Sequence, residues 1–472
     1  MLKRNLQVTG LLLTILWTSL TAQAPLVHAE VADRAGQVTV TVPGKSTGNR
    51  NNVAQERAIA VNNLPKAELK GALQFTAAQI IDANRVQLKI GEYSVQEPDK
   101  SVFLVRNGAN ADLQKLTLDK SGDNTSGEYS DYGGLNAAFL TTDATASLDS
   151  CTITTNGIGA SGIFATGLNG KVRAYNTVVT TASDASRGLV ATAGASISAG
   201  KLQINTSGKD SAALFAYGDD ATVLISGSQL ATTGTDSPLV YSIGTISLVT
   251  SSGTAAESEI AFVEGNNDLT LDAVNLTGGK KYGILLYGSL SKDAVPGTGV
   301  LAVRNSTLTS TAPEGLFYVT NTKAAASLEN CTLNFKGENA IRVEAGPWGT
   351  PGVNGADFVL SLIKQKLNGN IVVDKLSTLT LNLGQESDWS GRVVSAGPVP
   401  KVNVNMKVLS RWSLGGDVHL DAFDDVDLKL SNIESNGYNI YYNPKNKSNK
   451  WLEGRAYRLI GGGKLVPELP RK

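Results

Sequence analysis

Few residues of this chain can do chemistry. Its 472 residues include two cysteines, Cys151 and Cys331, and two histidines, His28 and His419. Two distant cysteines make no zinc site, and so few imidazoles leave a Ser–His–Asp constellation no better than chance. No Gly-rich phosphate loop follows a strand. Charged residues reach only 18%, against roughly 25% in a typical domain. Lysine plus arginine (42) equals aspartate plus glutamate (42), so a zero formal net charge gives no attraction to nucleic acid or anionic membrane. Aromatics are 6%, which suits a thin core of small aliphatic side chains. Beyond the first 29 residues no apolar run is long enough to span a bilayer. We therefore expect no cofactor, no metal, no nucleic-acid partner and no integral membrane segment after signal cleavage.

What the chain has in abundance is a repeat. Apolar anchors recur about every 25 residues at Leu118, Ile153, Val179, Ile204, Leu230, Leu276, Leu308 and Leu333. Five residues earlier lie Leu113, Leu148, Ala174, Ala199, Ile225, Leu271, Val303 and Leu328; seven earlier lie Ala111, Ala146, Val172, Ile197, Val223, Leu269, Leu301 and Ala326. Polar residues separate the two earlier slots, as in Val172-Arg173-Ala174, which is the period of a half-buried strand. The same alternation runs into the anchor, as in Cys151-Thr152-Ile153, and nothing recurs at helical spacing. The parity slips by one residue between the two strands, so the chain turns a corner there. Asn176, Asn305, Asn330 and Gly227 stand at that corner, residue types that tolerate a left-handed backbone. A third apolar segment follows each anchor: Ile163-Phe164-Ala165, Leu189-Val190-Ala191, Leu214-Phe215-Ala216, Leu239-Val240-Tyr241, Ile260-Ala261-Phe262, Ile284-Leu285-Leu286, Leu316-Phe317-Tyr318 and Ile341-Arg342-Val343. Ile246 and Leu248 mark a degenerate coil whose anchor slot falls on Gly253.

Three short strands per coil, stacked in register, make an all-β, single-stranded parallel β-helix, which we expect to be right-handed. Residues 1–29 read as a signal peptide. Lys3 and Arg4 precede an apolar run from Leu11 to Leu20, and Val27-His28-Ala29 makes a small-x-small cleavage site. Residues 30–105 are expected to form an N-terminal cap and first coils, and 106–345 the β-helix repeats. A Gly/Pro-rich protruding loop at 346–356 carries Trp348, a candidate surface recognition residue. Residues 357–436 form C-terminal coils and 437–472 a C-terminal cap.

In the C-terminal coils, Leu379-Thr380-Leu381-Asn382-Leu383 leads into Ser387-Asp388-Trp389. One coil later, Val402-Asn403-Val404-Asn405-Met406 leads into Ser410-Arg411-Trp412. These units resemble the closing part of pertactin-like autotransporter passenger domains. The resemblance implies an exported β-helix at the bacterial cell surface, outer membrane-associated or secreted, with an adhesin-like role. It implies as partner a host, matrix or cell-surface protein or glycan. Autotransporters continue into a membrane barrel of ~10-residue strands and this sequence ends at Lys472, so another export route, a separate outer-membrane export partner or a periplasmic location is expected.

The rival from another class is a polysaccharide lyase or hydrolase, and the third reading is a structural spacer. General acid/base work needs convergent carboxylates. Asp149, Asp272 and Glu329 share one slot but on coils expected to be far apart in the stack, while Asp219-Asp220 and Asp424-Asp425 read as solvated turn carboxylates. Asn275 and Asn446 carry Asn-x-Ser/Thr sequons without weight here. We expect no catalytic residue. Cys151 and Cys331 occupy one slot of two coils about seven turns apart, roughly 34 Å at the strand spacing. A disulfide needs Cα atoms within about 7 Å, so both are expected as buried free thiols.

Overall fold

A computed structural model describes residues 28–31, 38–41, 74–289, 297–395 and 401–468. It is 55% strand and 3% helix, wound as a parallel β-solenoid of about 15 turns. Most of the predicted signal peptide and the stretch from 42 to 73 of the expected N-terminal cap lie outside the described residues. The expected cut after Ala29 falls inside β1 (His28–Val31), which pairs antiparallel with β2 (Val38–Thr41).

Each coil lays one strand on each of three faces. The two earlier apolar slots form the first sheet, the anchors the second, and the segments after the anchors the third. On the second sheet the anchors stack in unbroken register from Tyr93 through Leu118, Ile153, Val179, Ile204 and Leu230 to Gly253, Leu276, Leu308 and Leu333. Most of these side chains are fully buried. Identical inward slots on successive coils pile like on like, so every aliphatic side chain covers its neighbours above and below. The degenerate coil fits because Leu239 fills the missing volume: a Cβ on Gly253 would stand 2.8 Å from Leu239 Cδ1.

The corner before each anchor is left-handed in every coil, whatever the residue. Fourteen residues three places before the anchor slot have φ between +47° (Thr250) and +63° (Leu409), including Ile90, Lys115, Ser150, Lys201, Ala273 and Leu430. Asparagine and glycine fill only four of these sites, so chain closure overrides local preference at a cost of roughly 1–2 kcal/mol per ordinary residue. Hydroxyl ladders satisfy backbone N–H groups at the turns. Leu202 N donates to Ser228 Oγ at 3.0 Å and Ser228 N to Ser251 Oγ at 3.0 Å, while Ser186 N donates to Ser211 Oγ at 3.0 Å and Ser211 N to Ser237 Oγ at 2.9 Å. Buried corners thus leave few amides without partners.

Trp389 and Trp412 neither plug the end nor cover a corner. They occupy inward slots on neighbouring coils, both fully buried, with rings stacked 4.7 Å apart at 15°. Their indole N–H groups donate to Gly369 O and Gly391 O at 3.0 and 3.1 Å. The end is closed instead by β3 (Ala422–Asp425) and the 3-10 turn Lys447–Leu452. Asn449 Oδ1 accepts from Phe423 N at 2.8 Å, and Trp451 Nε1 donates to Phe423 O at 3.0 Å. Those two side chains occupy the hydrogen-bonding edge of the last strand of the first sheet, which would otherwise recruit another chain.

Three expectations need correction. In three coils the third strand registers one residue later than its apolar triplet suggests. Leu214 pairs with Val240, Val240 with Ala261, and Ile284 with Phe317. Asp425 is not a solvated turn residue: it pairs with Met406 in β3 and takes the inward slot of that ladder, 3% exposed. Asp424, its neighbour, is exposed. The cysteines are free, and seven successive strand pairings separate their coils. Cys151 is buried as expected, whereas Cys331 is only half-buried because the coil ending at Phe335 is itself half-exposed.

Candidate binding surface

The first two sheets show mostly polar side chains outward, with exceptions such as Leu224, Ala302 and Val359. The third does not. With the register above, its outward column reads Leu104, Leu140, Phe164, Val190, Phe215, Tyr241, Phe262, Leu285 and Tyr318. An apolar column on both sides of a strand means that the sheet carries a second, external hydrophobic layer.

Two excursions of the chain cover parts of this layer. Residues 123–138, with a helical turn at Tyr129–Gly133, form a strap over its first half. Gly134 lies so close that a Cβ there would come within 2.7 Å of both Leu140 and Phe164. The strap is fixed at its far end, where Asp131 accepts from Arg187 at 2.7 Å and Tyr132 packs on Tyr217 with ring centroids 4.4 Å apart. Arg187 in turn lies over Phe215 at 4.5 Å. At its root, Asn136 Nδ2 donates to Gly122 O and Ile158 O, both at 3.0 Å, while Lys120 is folded inward onto the carbonyls of Glu97, Ser121 and Gly122. Desolvation lowers the Lys120 ammonium to about 8.

The second cover is the Gly/Pro-rich loop. Trp348 is not held out in solvent: its half-buried ring packs on Tyr287 at 5.0 Å and on Tyr318 at 6.4 Å. Asn354, 3% exposed, donates to Gly346 O at 2.8 Å and Trp348 O at 2.9 Å, which pins the loop down.

Nine rings form one chain along this flank. They run Tyr132, Tyr217, Phe215, Tyr241, Phe262, Tyr287, Trp348, Tyr318 and Tyr282, with adjacent centroids 4.2 to 6.4 Å apart. Between the strap and the loop, three consecutive coils leave Tyr217, Tyr241 and Phe262 half-buried. This is the window. Beside it, Glu264 is 2% exposed, and its Oε2 accepts from the phenols of Tyr241 at 2.7 Å and Tyr287 at 2.8 Å. Burial pushes the Tyr241 phenol well above the usual tyrosine range, with Tyr287 and Glu264 adding to it. Glu264 Oε1 and Asn267 Oδ1 are buried without a donor partner.

The other sequence candidates do not converge. Arg304 stands in register between Asp272 and Glu329 and donates to Asp272 Oδ2 at 2.7 Å, whereas Asp149 lies five coils earlier and accepts from Asn176 Nδ2 at 3.2 Å. Asp220 is exposed and partnered, and Asp219 ends the same corner beyond Tyr217. His419 is not isolated: it stacks on Tyr441 at 4.7 Å with Nδ1 3.1 Å from Glu468 Oε1. Among the described residues no three His, Cys, Asp or Glu side chains gather as metal ligands. No described helix is long and apolar enough to cross a membrane. Asn275 faces outward on the second sheet, and Asn446 caps the 3-10 turn through Ser448 N.

The sequence singled out Trp348, which packs on this flank, but not Tyr217, Tyr241, Glu264 or Tyr287. The available signal was an apolar residue between two inward ones. The one-residue register shift hid it, placing Val240 and Ala261 where Tyr241 and Phe262 belong.

Comparison of the chain with known families, with curated proteins and with solved structures found no match.

Proposed function

We propose that this chain is an exported, non-enzymatic β-helix of the bacterial cell surface, an adhesin-like passenger that holds its partner on the aromatic window. One observation carries the reading: a continuous external belt of nine rings, left partly uncovered over three successive coils. Aromatic side chains supply large contact area at low entropic cost, and they dominate recognition surfaces. The resemblance of the Trp389 and Trp412 units to pertactin-like passengers, and the signal-like residues 1–29, support export. A host, matrix or cell-surface protein or glycan is the partner in this reading, with a separate outer-membrane protein as export partner.

An enzyme on the same scaffold gains little. The buried carboxylate beside the window, Glu264, is tied down by two phenols rather than free for general acid/base work. A spacer would have no use for the window. The test pairs two measurements on the purified chain. Protein-coated beads should adhere to cells or matrix, and incubation with pectin and related polymers should release no new reducing or unsaturated ends. New ends without adherence would give the function to the enzyme; neither result would give it to the spacer.

A further inference from the structure

Given that the window holds a partner, as proposed above, its chemistry selects the class. We infer that Tyr217, Tyr241 and Phe262 take a neutral, extended glycan lying along the axis of the rod.

Shape comes first. The three rings sit on consecutive coils, so the opening is about two strand spacings long, roughly 10 Å. The strap closes one end and the Trp348 loop the other. A protein partner needs about 800 Å² of surface on each side, which a slot of this size does not offer. A chain of pyranose rings is narrow and presents an apolar C–H face at nearly every sugar. Tyr241 to Phe262 is 5.5 Å, edge to face, a spacing close to one sugar per coil.

Charge comes second. Arg187 is neutralised by Asp131, and the Glu264 carboxylate is held by Tyr241 and Tyr287. The arginine over Phe215 is thus already paired and offers no free cation with which to select a uronate or a sulfated chain. Apolar platforms with a few convergent polar groups are what a small neutral ligand requires.

The experiment is affinity electrophoresis of the full chain through gels containing neutral β-linked glucan, xylan or mannan. Polygalacturonate and heparin serve as anionic controls, and tryptophan emission with soluble oligosaccharides gives an independent reading. We expect retardation by at least one neutral glycan, weakened at least tenfold in Phe262→Leu, which keeps apolar volume but removes the ring face. Tyr241→Ser should act likewise, while Thr277→Ser on the second sheet should bind as the parent does. Circular dichroism and thermal midpoints establish that each variant is folded. Binding confined to anionic polymers, or neutral binding indifferent to Phe262→Leu, overturns the inference. If beads adhere through the window and no neutral glycan binds, the ligand class falls while the adhesive reading stands. If neither occurs, both fall.

Discussion

Replacing Asp425 by asparagine should strengthen the C-terminal coils at neutral pH. The position belongs to an apolar ladder, below Met406, Leu383 and Leu362 in successive coils. Its Oδ1 accepts from Asp427 N at 2.9 Å and Asn432 Nδ2 at 3.1 Å, but Oδ2 and the adjoining Asn432 Oδ1 are buried without donors. Desolvation pushes the carboxyl from 3.8 to about 6, with lesser repulsion from Asp427 and Asp424. Between those values the folded chain holds a proton that the unfolded chain has released. The favourable contribution is therefore complete below pH 3.8 and is lost as pH rises through about 6. Two pK units correspond to about 3 kcal/mol as an upper bound. Asparagine removes the titration, and its amide N–H can supply the donor that Asn432 Oδ1 lacks. Urea unfolding followed by tryptophan emission reads the right region, because Trp389, Trp412 and Trp451 all lie in the last coils and Trp451 packs 6.1 Å from Phe423. A local probe is needed, since a repeat array need not unfold as one unit. The variant should exceed the parent by up to about 3 kcal/mol at pH 7.5, and the difference should shrink towards zero by pH 4.5. A difference independent of pH, or a variant less stable at pH 7.5, would refute the reasoning.

Further outcomes follow from the ladder and its corners. Ile204→Asp buries an unpaired charge and should cost several kcal/mol, whereas Thr180→Asp on the outward slot should cost under ~0.5 kcal/mol in chemical denaturation; equal losses would mean the phase is wrong. Ala273→Gly, at φ +54°, should raise stability by about 0.5–1 kcal/mol, while Ala231→Gly in an extended strand should lower it by a similar amount, a sign reversal that differential scanning calorimetry would detect. A thiol reagent should find two free sulfhydryls per chain in denaturant and, in the native protein, modify half-buried Cys331 well before Cys151. A Cys151–Cys331 peptide pair joined within one chain in a non-reducing digest would contradict the coil count.

The coil was legible because its determinant is periodic. Inward slots at fixed offsets of Ile153, Val179 and Ile204 must be apolar in every turn, so the phase of two sheets can be read directly. The parity slip announced a corner in the repeat, but its left-handed backbone was legible only where Asn176 or Gly227 stood; at Ile90, Thr250 or Leu409 it is forced by closure of the coil, a tertiary demand without a local signature. The third sheet was harder because it is apolar on both faces. In Leu239-Val240-Tyr241 any of the three side chains could point inward, and the choice is settled by pairing with Leu214 rather than by composition. That ambiguity concealed the window. Asp425 was misread for the opposite reason: its charge suggests solvent, yet its register beneath Met406 places it inside.

The most direct test of the account is adhesion by flank. Beads coated with the parent chain, with Tyr241→Ser/Phe262→Ser, and with the second-sheet control Thr254→Ala/Thr277→Ala should be compared on the same cells and matrix. The account predicts that the flank variant loses most of its adherence while the control keeps it. Undiminished adherence by a folded flank variant, or loss in the second-sheet control alone, would contradict the assignment of function to the aromatic window.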